Sequence, residues 1–311
     1  MTPAGTVVLL MGPTGAGKSD LALELAARIP AEIVSVDSAM VYRGLDIGTA
    51  KPARALRERI AHHLVDVLDP SESYSAGQFV RDALGAIDAI QARDRVPLLV
   101  GGTMLYFHAL LNGLARMPSA DAAIRRELDA RLARDGSKAL HEELRRVDPQ
   151  AAARIHPNDP QRIQRALEVH RLTGRPISAL QRERPTPLAG ARVGRFVVSP
   201  PRDELHERIA HRFEQMMKSG FLEEVRVLHA RGDLTSDNPA IRAVGYRQLW
   251  QHLEGQVSLE QAVANGIVAT RRLAKRQMTW LRALPRAEWL NSPTAAAERI
   301  LGWVAGAADS E

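Results

Sequence analysis

Four short apolar runs interrupt a chain whose other hydrophobic residues mostly recur at helical spacing. TVVLLM, residues 6–11, is apolar or β-branched throughout and stops at Gly12, the pattern of a strand buried on both faces. EIVSVD (32–37) and VPLLVGG (96–102) predict two more strands, one ending in Asp37 and the other in a glycine pair. RFVVSP (195–200) predicts a fourth. Leu21, Leu25 and Ile29 return every four residues and predict a helix over 17–28, and another is expected from Ser75 to about Arg93. This alternation predicts an α/β fold with a parallel sheet flanked by helices. Ligands of such sheets sit beyond the carboxyl ends of the strands. Three segments are expected at that edge: Gly12–Ser19, Asp37-Ser38 and Gly101-Gly102-Thr103.

The pattern changes after about Leu114. From Ser119 to about Leu180 it is helical, arginine-rich and nearly free of β-branched runs, with breaks at Asp135-Gly136, Asp148-Pro149, His156-Pro157 and Thr173-Gly174. The Pro-rich stretch RERPTPLAG (182–190) closes it, and strand character resumes near Arg192. The expected organisation is a P-loop NTPase-like core formed by residues 1–114 and 191–311, with an inserted all-helical domain, 115–190. Three helical stretches follow the fourth strand, the last from about Ser258 to Leu284. Internal repeats are absent, and the Ala-rich C-terminus is expected to fray.

Composition narrows this picture only slightly. With 311 residues, 45% hydrophobic and 25% charged, the chain has the make-up of a globular protein with a sizeable core. It has no cysteine, which excludes disulfides, zinc–thiolate sites and a thiol nucleophile, and accords with a cytoplasmic location. No apolar run is long enough to span a bilayer, and no signal-peptide pattern opens the chain. The formal net charge of +6 accords with a polyanionic partner without choosing one.

The candidate chemistry starts at Gly12-x-x-x-x-Gly17-Lys18-Ser19. This is the spacing of a phosphate-binding loop, and it stands where such a loop should, between a predicted strand and a predicted helix. Gly12, Pro13, Thr14, Gly15, Ala16 and Gly17 would turn their N–H groups onto phosphate oxygens. Lys18 would supply a point charge and Ser19 a hydroxyl for Mg²⁺. The loop specifies a diphosphate or triphosphate with Mg²⁺, and does not say which. A switch or motor NTPase should end a second strand in an acidic metal holder, but the third predicted strand ends LLVGGT, and no Asn-Lys-x-Asp guanine signature occurs. The connection over 35–52 is too long for a plain αβ turn and is expected to be functional.

GPTGAGKS (12–19), DSAMVYRGLDIGTAKP (37–52), HHLVD (62–66), LLVGGTMLY (98–106), NDPQRIQRALEV (158–169), HERIAHRFEQMMKSGFLEEV (206–225) and AVGYRQ (243–248) follow one another in this order. Together they resemble the tRNA dimethylallyltransferase family, over roughly residues 6–285. The departures are small. Gly15 and Ser19 stand where Ala and Thr are more usual, and the hydroxyl is kept. The zinc finger of the eukaryotic relatives is absent, as a chain without cysteine requires.

The resemblance implies transfer of a five-carbon prenyl group from dimethylallyl diphosphate to the exocyclic N6 of the adenosine on the 3′ side of the anticodon in tRNA. The phosphate loop would then hold a leaving group that is expelled. Lys18, the loop N–H groups and Mg²⁺ on Ser19 would neutralise its growing charge. Arg212 matches a family arginine that binds the diphosphate. Arg208 lies one turn earlier, either on the same task or as a surface arginine.

An exocyclic amine is a weak nucleophile, because its lone pair is delocalised into the ring. A carboxylate that takes its proton would help, and Asp37 is the candidate base, with indirect Mg²⁺ binding and helix capping as its other readings. Thr103 would bond the target base, as its family counterpart does, or cap the helix MLYFHALL. Extrusion of that base from the anticodon stem-loop needs contacts to the RNA. Between Arg154 and Arg184 seven arginines stand against three acids, and residues 271–286 carry six basic residues and no acid. Such clusters bind phosphates irrespective of sequence. The expected tRNA contacts are Asp37, Ser38, Ala39, Met40 and Thr103; in the insertion, Arg125, Gln161, Arg162, Ile163, Gln164 and Arg165; then Arg242, Gly245, Tyr246 and Arg247; and finally Lys275, Arg276 and Arg282.

Blander roles are expected of other residues. Trp280 and Leu281 should pack the last helix on the core, Met216-Met217 should be core, and His62-His63 should make structural hydrogen bonds. A monomer is expected. Three competing readings are an isopentenyltransferase for free adenine nucleotides, a small-molecule kinase using ATP, and a non-catalytic RNA-binding module. The insertion and the basic helix count against the first, and Asp37 and Arg212 against the last.

Overall fold

A computed structural model describes residues 5–115, 117–182, 186–291 and 293–306. The chain forms two compact units, Met1–Ala109 with Leu188–Glu311 and Leu110–Pro187. The first unit begins with β1 (Thr6–Met11), α1 (Lys18–Arg28), β2 (Ala31–Val36), α2 (Arg54–Arg59), β3 (His62–His63), α3 (Ala76–Gln91), β4 (Val96–Gly101) and α4 (Met104–Asn112). The second unit holds α5 (Ala122–Val147), α6 (Pro149–Arg154), α7 (Pro160–Thr173) and α8 (Ile177–Leu180). The first then resumes with β5 (Arg192–Val198), α9 (Arg202–Lys218), α10 (Phe221–Ala230), α11 (Tyr246–Leu253), α12 (Leu259–Arg282), β6 (Glu288–Leu290) and α13 (Pro293–Ala305).

The sheet is six-stranded and parallel in every pairing, in the order β3-β2-β4-β1-β5-β6. Every residue of β1, β2 and β4 is buried, which explains why these strands read as unbroken apolar runs: helices cover both faces. On one face Val8, Leu10, Ile33 and Leu98 pack against Leu21 and Leu25 of α1 and Ile300 of α13. Ser75 starts α3 with a reciprocal capping box to Gln78.

Four elements were not legible in the pattern. α2 is short and buries nothing, while β3 and β6 are strands of two and three residues. α13 corrects the expectation of a fraying end: Ala296, Ile300 and Val304 recur every four residues and are buried, and Glu298 pairs with Arg28 at 2.7 Å. Residues 307–311 of that end, and 183–185 of the Pro-rich stretch, lie outside the described residues.

The long connection after β2 is packed. Val41, Tyr42 and Leu45 are buried with Phe221, Tyr246 and Leu249. Glu224 of α10 accepts the backbone N–H groups of Asp46 (2.9 Å), Ile47 (2.7 Å) and Gly48 (3.1 Å). Lys51, with its side chain 1% exposed, bonds Asp46 at 2.5 Å and Asp66 at 2.6 Å.

The second unit is all helical around Leu128, Leu140, Leu144, Ile163 and Leu167. Gly136 breaks α5 with φ +79°, and Asp148 caps α6. Asp148 and Glu168 are its buried acids; Glu168, 1% exposed, accepts from Asp121 N (2.9 Å), Arg125 Nε (3.0 Å) and Arg165 Nη1 (2.5 Å). Burial alone would push this carboxyl up; Arg165, the Asp121 N–H and Arg125 hold it below its usual range. Glu168→Ala is expected to cost this unit about 2–4 kcal/mol, because a buried acceptor and its two cations are separated. Faster hydrogen exchange confined to residues 110–187 would support this, and an unchanged exchange pattern would refute it.

Candidate active site

The phosphate loop joins β1 to α1, and its last glycine, Gly17, takes the left-handed conformation (φ +85°) from which the helix starts. The Lys18 ammonium donates to Pro13 O at 2.8 Å. Arg212 reaches in from α9 and bonds the Thr14 hydroxyl. Gln277 of α12 accepts from Thr14 N and donates to Gly102 O, both at 2.9 Å, so one side chain joins the loops beyond β1 and β4. Gly102 makes this possible: a Cβ there would lie 2.4 Å from Gln277 Nε2.

Asp37 follows the last residue of β2. Its Oδ1 accepts from Ala39 N (2.8 Å) and Met40 N (3.3 Å), which fixes the carboxylate; Oδ2 takes no hydrogen bond from the described residues. Thr103 is held against it across the sheet edge. Its N–H donates to Val36 O (3.1 Å), and its hydroxyl accepts from Ser38 N (3.0 Å). The hydroxyl therefore does not cap α4, which begins instead on the Thr103 carbonyl.

Two cavities meet at these residues. One, of about 420 Å³, is lined by the phosphate loop, Lys18, Ser19 and Arg208. The other, of about 470 Å³, is lined by Ser38, Thr103, Leu105, Arg242, Arg276 and Trp280 among others. Thr14, Asp37, Thr49, Gly102, Arg212 and Gln277 line both. A carboxylate and a guanidinium thus stand in the wall between the hollow at the phosphate loop and the somewhat larger one beside it.

The IPP transferase family model matches residues 40–284, most of the chain. The chain belongs to this family. It is 58% identical over 289 residues to a tRNA dimethylallyltransferase of Methylococcus capsulatus, covering 93% of each chain. Its fold is similar to that of the tRNA isopentenylpyrophosphate transferase of Bacillus halodurans, with 36% identity, a TM-score of 0.71, and 97% of this chain and 96% of that one covered. It is also similar to a eukaryotic dimethylallyltransferase described as acting on tRNA, with 29% identity, a TM-score of 0.76, and 89% and 69% coverage.

In this IPP transferase the remaining expected residues fall in different places. Arg208 lines the phosphate cavity while paired with Glu204. Arg242 and Arg276 line the second cavity. Gly245 and Tyr246 are buried, and the Tyr246 hydroxyl donates to Glu224 at 2.5 Å, so that their part is to hold the wall. Arg247 is exposed but lines neither cavity. Lys275 and Arg282 lie on another side of α12, in a separate hollow. In the helical unit Gln161 and Arg162 are exposed. Gln164 bonds Asp129 (2.6 Å), Arg125 and Arg165 hold Glu168, and Ile163 is fully buried, so its side chain cannot meet RNA.

Trp280 corrects another expectation. Leu281 is buried, but Trp280 is 42% exposed at the rim of the second cavity, edge-on to His108. Met216 and Met217 are half-buried and pack against the core around Phe213 and Phe221. His62 and His63 do make structural bonds, to Ile60 O (2.6 Å) and Glu32 (2.7 Å). Gln277 and Glu224 went unread. The signal for Gln277 was present: it is the one long polar side chain on the stripe Thr270, Ala274, Gln277, Leu281.

Burial, and then the nearby Arg212 charge, lower the Lys18 pKa to about 7, with Asp37 opposing. Burial likewise lowers that of Arg212. A diphosphate bound beside it would favour the charged form, so Lys18 would hold its proton in the complex at a pH where most of the empty loops have lost it. Pyrophosphate binding at pH 8 is therefore expected to take up close to one proton, with affinity falling by up to about tenfold per pH unit above 7. Calorimetry in buffers of different ionisation enthalpy measures this. Equal uptake by Lys18→Gln would show that the proton goes elsewhere.

Proposed function

We propose that this chain transfers a dimethylallyl group from dimethylallyl diphosphate to N6 of the adenosine 3′ to the anticodon in tRNA. The observation that carries this reading is the shared wall: Asp37 and Arg212 line both the phosphate cavity and the wider cavity beside it. A kinase or hydrolase needs its acceptor in line with the terminal phosphorus. Here the carboxylate stands between two hollows, where an allylic carbon and an amine would meet. The nucleotide-level enzyme is disfavoured by the Leu110–Pro187 unit and by a cavity rimmed with Arg242, Arg276 and an exposed indole.

In this reading the diphosphate lies on the loop N–H groups with Lys18, Arg212 and Arg208 around it. The extruded adenine enters the wider cavity, with Thr103 and Ser38 at its edge and N6 toward Asp37. The C–N bond forms as the allylic C–O bond breaks. The departing electron pair stays on the diphosphate, where Lys18 and Arg212 meet the growing charge, and the N6 proton passes to the free Asp37 oxygen. The two backbone bonds on Oδ1 keep that oxygen directed without consuming it.

Ser19 is exposed in the phosphate cavity, and no cluster of three or more His, Asp or Glu that could hold a metal exists among the described residues. That donor set fits Mg²⁺ held by the Ser19 hydroxyl, substrate oxygens and water, and does not fit a resident metal cage. When bound, the ion would offset charge on the leaving group. Ser38, Ala39, Met40, Arg242 and Arg276 are proposed to meet the anticodon loop, and Gln161 and Arg162 its flank. A monomer working in the cytoplasm suffices for this reaction. No helix of the described residues is long and apolar enough to cross a membrane.

Incubation with labelled dimethylallyl diphosphate, Mg²⁺ and unmodified tRNA, beside reactions with AMP and with ATP alone, tests the reading. Label is expected in tRNA only; label in AMP, or ATP consumed without transfer, would replace it. Asp37→Asn is expected to bind tRNA and diphosphate normally and to lower single-turnover transfer about 10²–10⁴-fold. If excess Mg²⁺ rescued that variant, Asp37 would be a metal holder and not the base.

A further inference from the structure

The basic residues of α12 divide between two flanks of its buried stripe. Thr270, Ala274, Gln277 and Leu281 face the core. Leu273, Arg276 and Trp280 stand on one side and line the cavity that holds Thr103. Arg271, Lys275, Met278 and Arg282, spaced by four, three and four residues, stand on the other. With Arg202 and His206 of α9 they enclose a separate cavity of about 510 Å³.

The charge of this cavity has one sign. Arg202, Arg271, Arg272, Lys275 and Arg282 line it, and no Asp or Glu does. Arg28, Arg208 and Arg231 each hold an acid; among the described residues none of these five makes an ion pair. Arg271 spends one nitrogen on His206 O at 3.4 Å, and its buried Nε has no hydrogen-bond partner. The rest of the lining is largely apolar: Leu205 and Ala274 are buried at its floor, Met278 is half-buried, and Val268 is exposed at its edge.

Five like charges around one hollow repel one another, and an anion relieves the repulsion. Guanidinium groups suit phosphate oxygens, and an apolar floor suits a flat ring carried with them. The cavity has the volume for one nucleotide. It adjoins the phosphate loop: Leu205 lies at its floor and 3.3 Å from where a Cβ on Gly15 of that loop would stand.

We propose that this cavity is a second phosphate site, separate from that of the leaving diphosphate, which takes a nucleotide unit. That unit is either part of the RNA substrate's backbone or a free nucleotide, and only the first source rests on the tRNA reading. The test uses the full chain saturated with dimethylallyl diphosphate, so that the phosphate loop is filled. ADP is titrated by calorimetry into wild type and into Arg202→Ala/Arg272→Ala, and the KM for tRNA is measured over a range of salt. Both residues are exposed, and equal melting of the two proteins checks the fold. One ADP per wild-type chain, bound at least tenfold more weakly by the variant, would identify a free nucleotide. A tRNA KM raised about tenfold, with the salt slope reduced by about two, would identify the RNA backbone. The proposal is overturned if ADP does not bind the saturated protein and the variant keeps the wild-type KM and salt slope. A wild type that transfers nothing to tRNA would sink the proposed activity, and the ADP titration would then decide this site alone.

Discussion

One primary amide holds the catalytic end of the sheet together. β1 and β4 are neighbours, but the loops beyond them diverge to leave room for substrate. Gln277 closes that gap, accepting from Thr14 on one side and donating to Gly102 on the other. It is 8% exposed, so water cannot easily replace either bond. Thr14 in turn meets Arg212, and Gly102 precedes Thr103. The spacing between the phosphate loop, the Arg212 guanidinium and the Thr103 hydroxyl therefore depends on one amide side chain.

What the sequence could and could not reveal follows from where burial makes a pattern. β1, β2 and β4 were legible because both faces are covered and only apolar residues fit. The place of Asp37 and Thr103 beyond the carboxyl ends of β2 and β4 was legible because each follows a largely apolar run. The α12 region was read by charge alone, and charge has no direction. Only the stripe Thr270, Ala274, Gln277, Leu281 says which side faces inward, and from it follow the rim position of Trp280 and the separation of Arg276 from Lys275. Ile163 was misplaced for the same reason: Ile163, Ala166 and Leu167 form the buried side of an otherwise polar helix. The Ala-rich end was misread because composition was weighed there without its period.

Counting arginines also overstates the charge that RNA can meet. Buried acids pair with some of them and offset their charge. Glu168 takes Arg125 and Arg165, and Glu32 takes Arg93 together with His63. Glu224 uses its carboxylate on backbone N–H groups and Tyr246, which stiffens the connection that carries Asp37. These acids are structural pins, and each removes positive charge from the surface or orders a loop. Among the described residues, α12 keeps five cations without an ion pair, Arg271, Arg272, Lys275, Arg276 and Arg282.

The partly discharged Lys18 has a consequence for a protein that handles a polyanion. A permanently cationic loop would attract any phosphate, including the many along an RNA strand that outnumber the intended diphosphate. A lysine that burial leaves only partly charged would attract passing phosphodiesters less than a fully charged one. Such a loop would favour a small ligand that carries enough negative charge to restore the proton over the single charges spaced along an RNA strand.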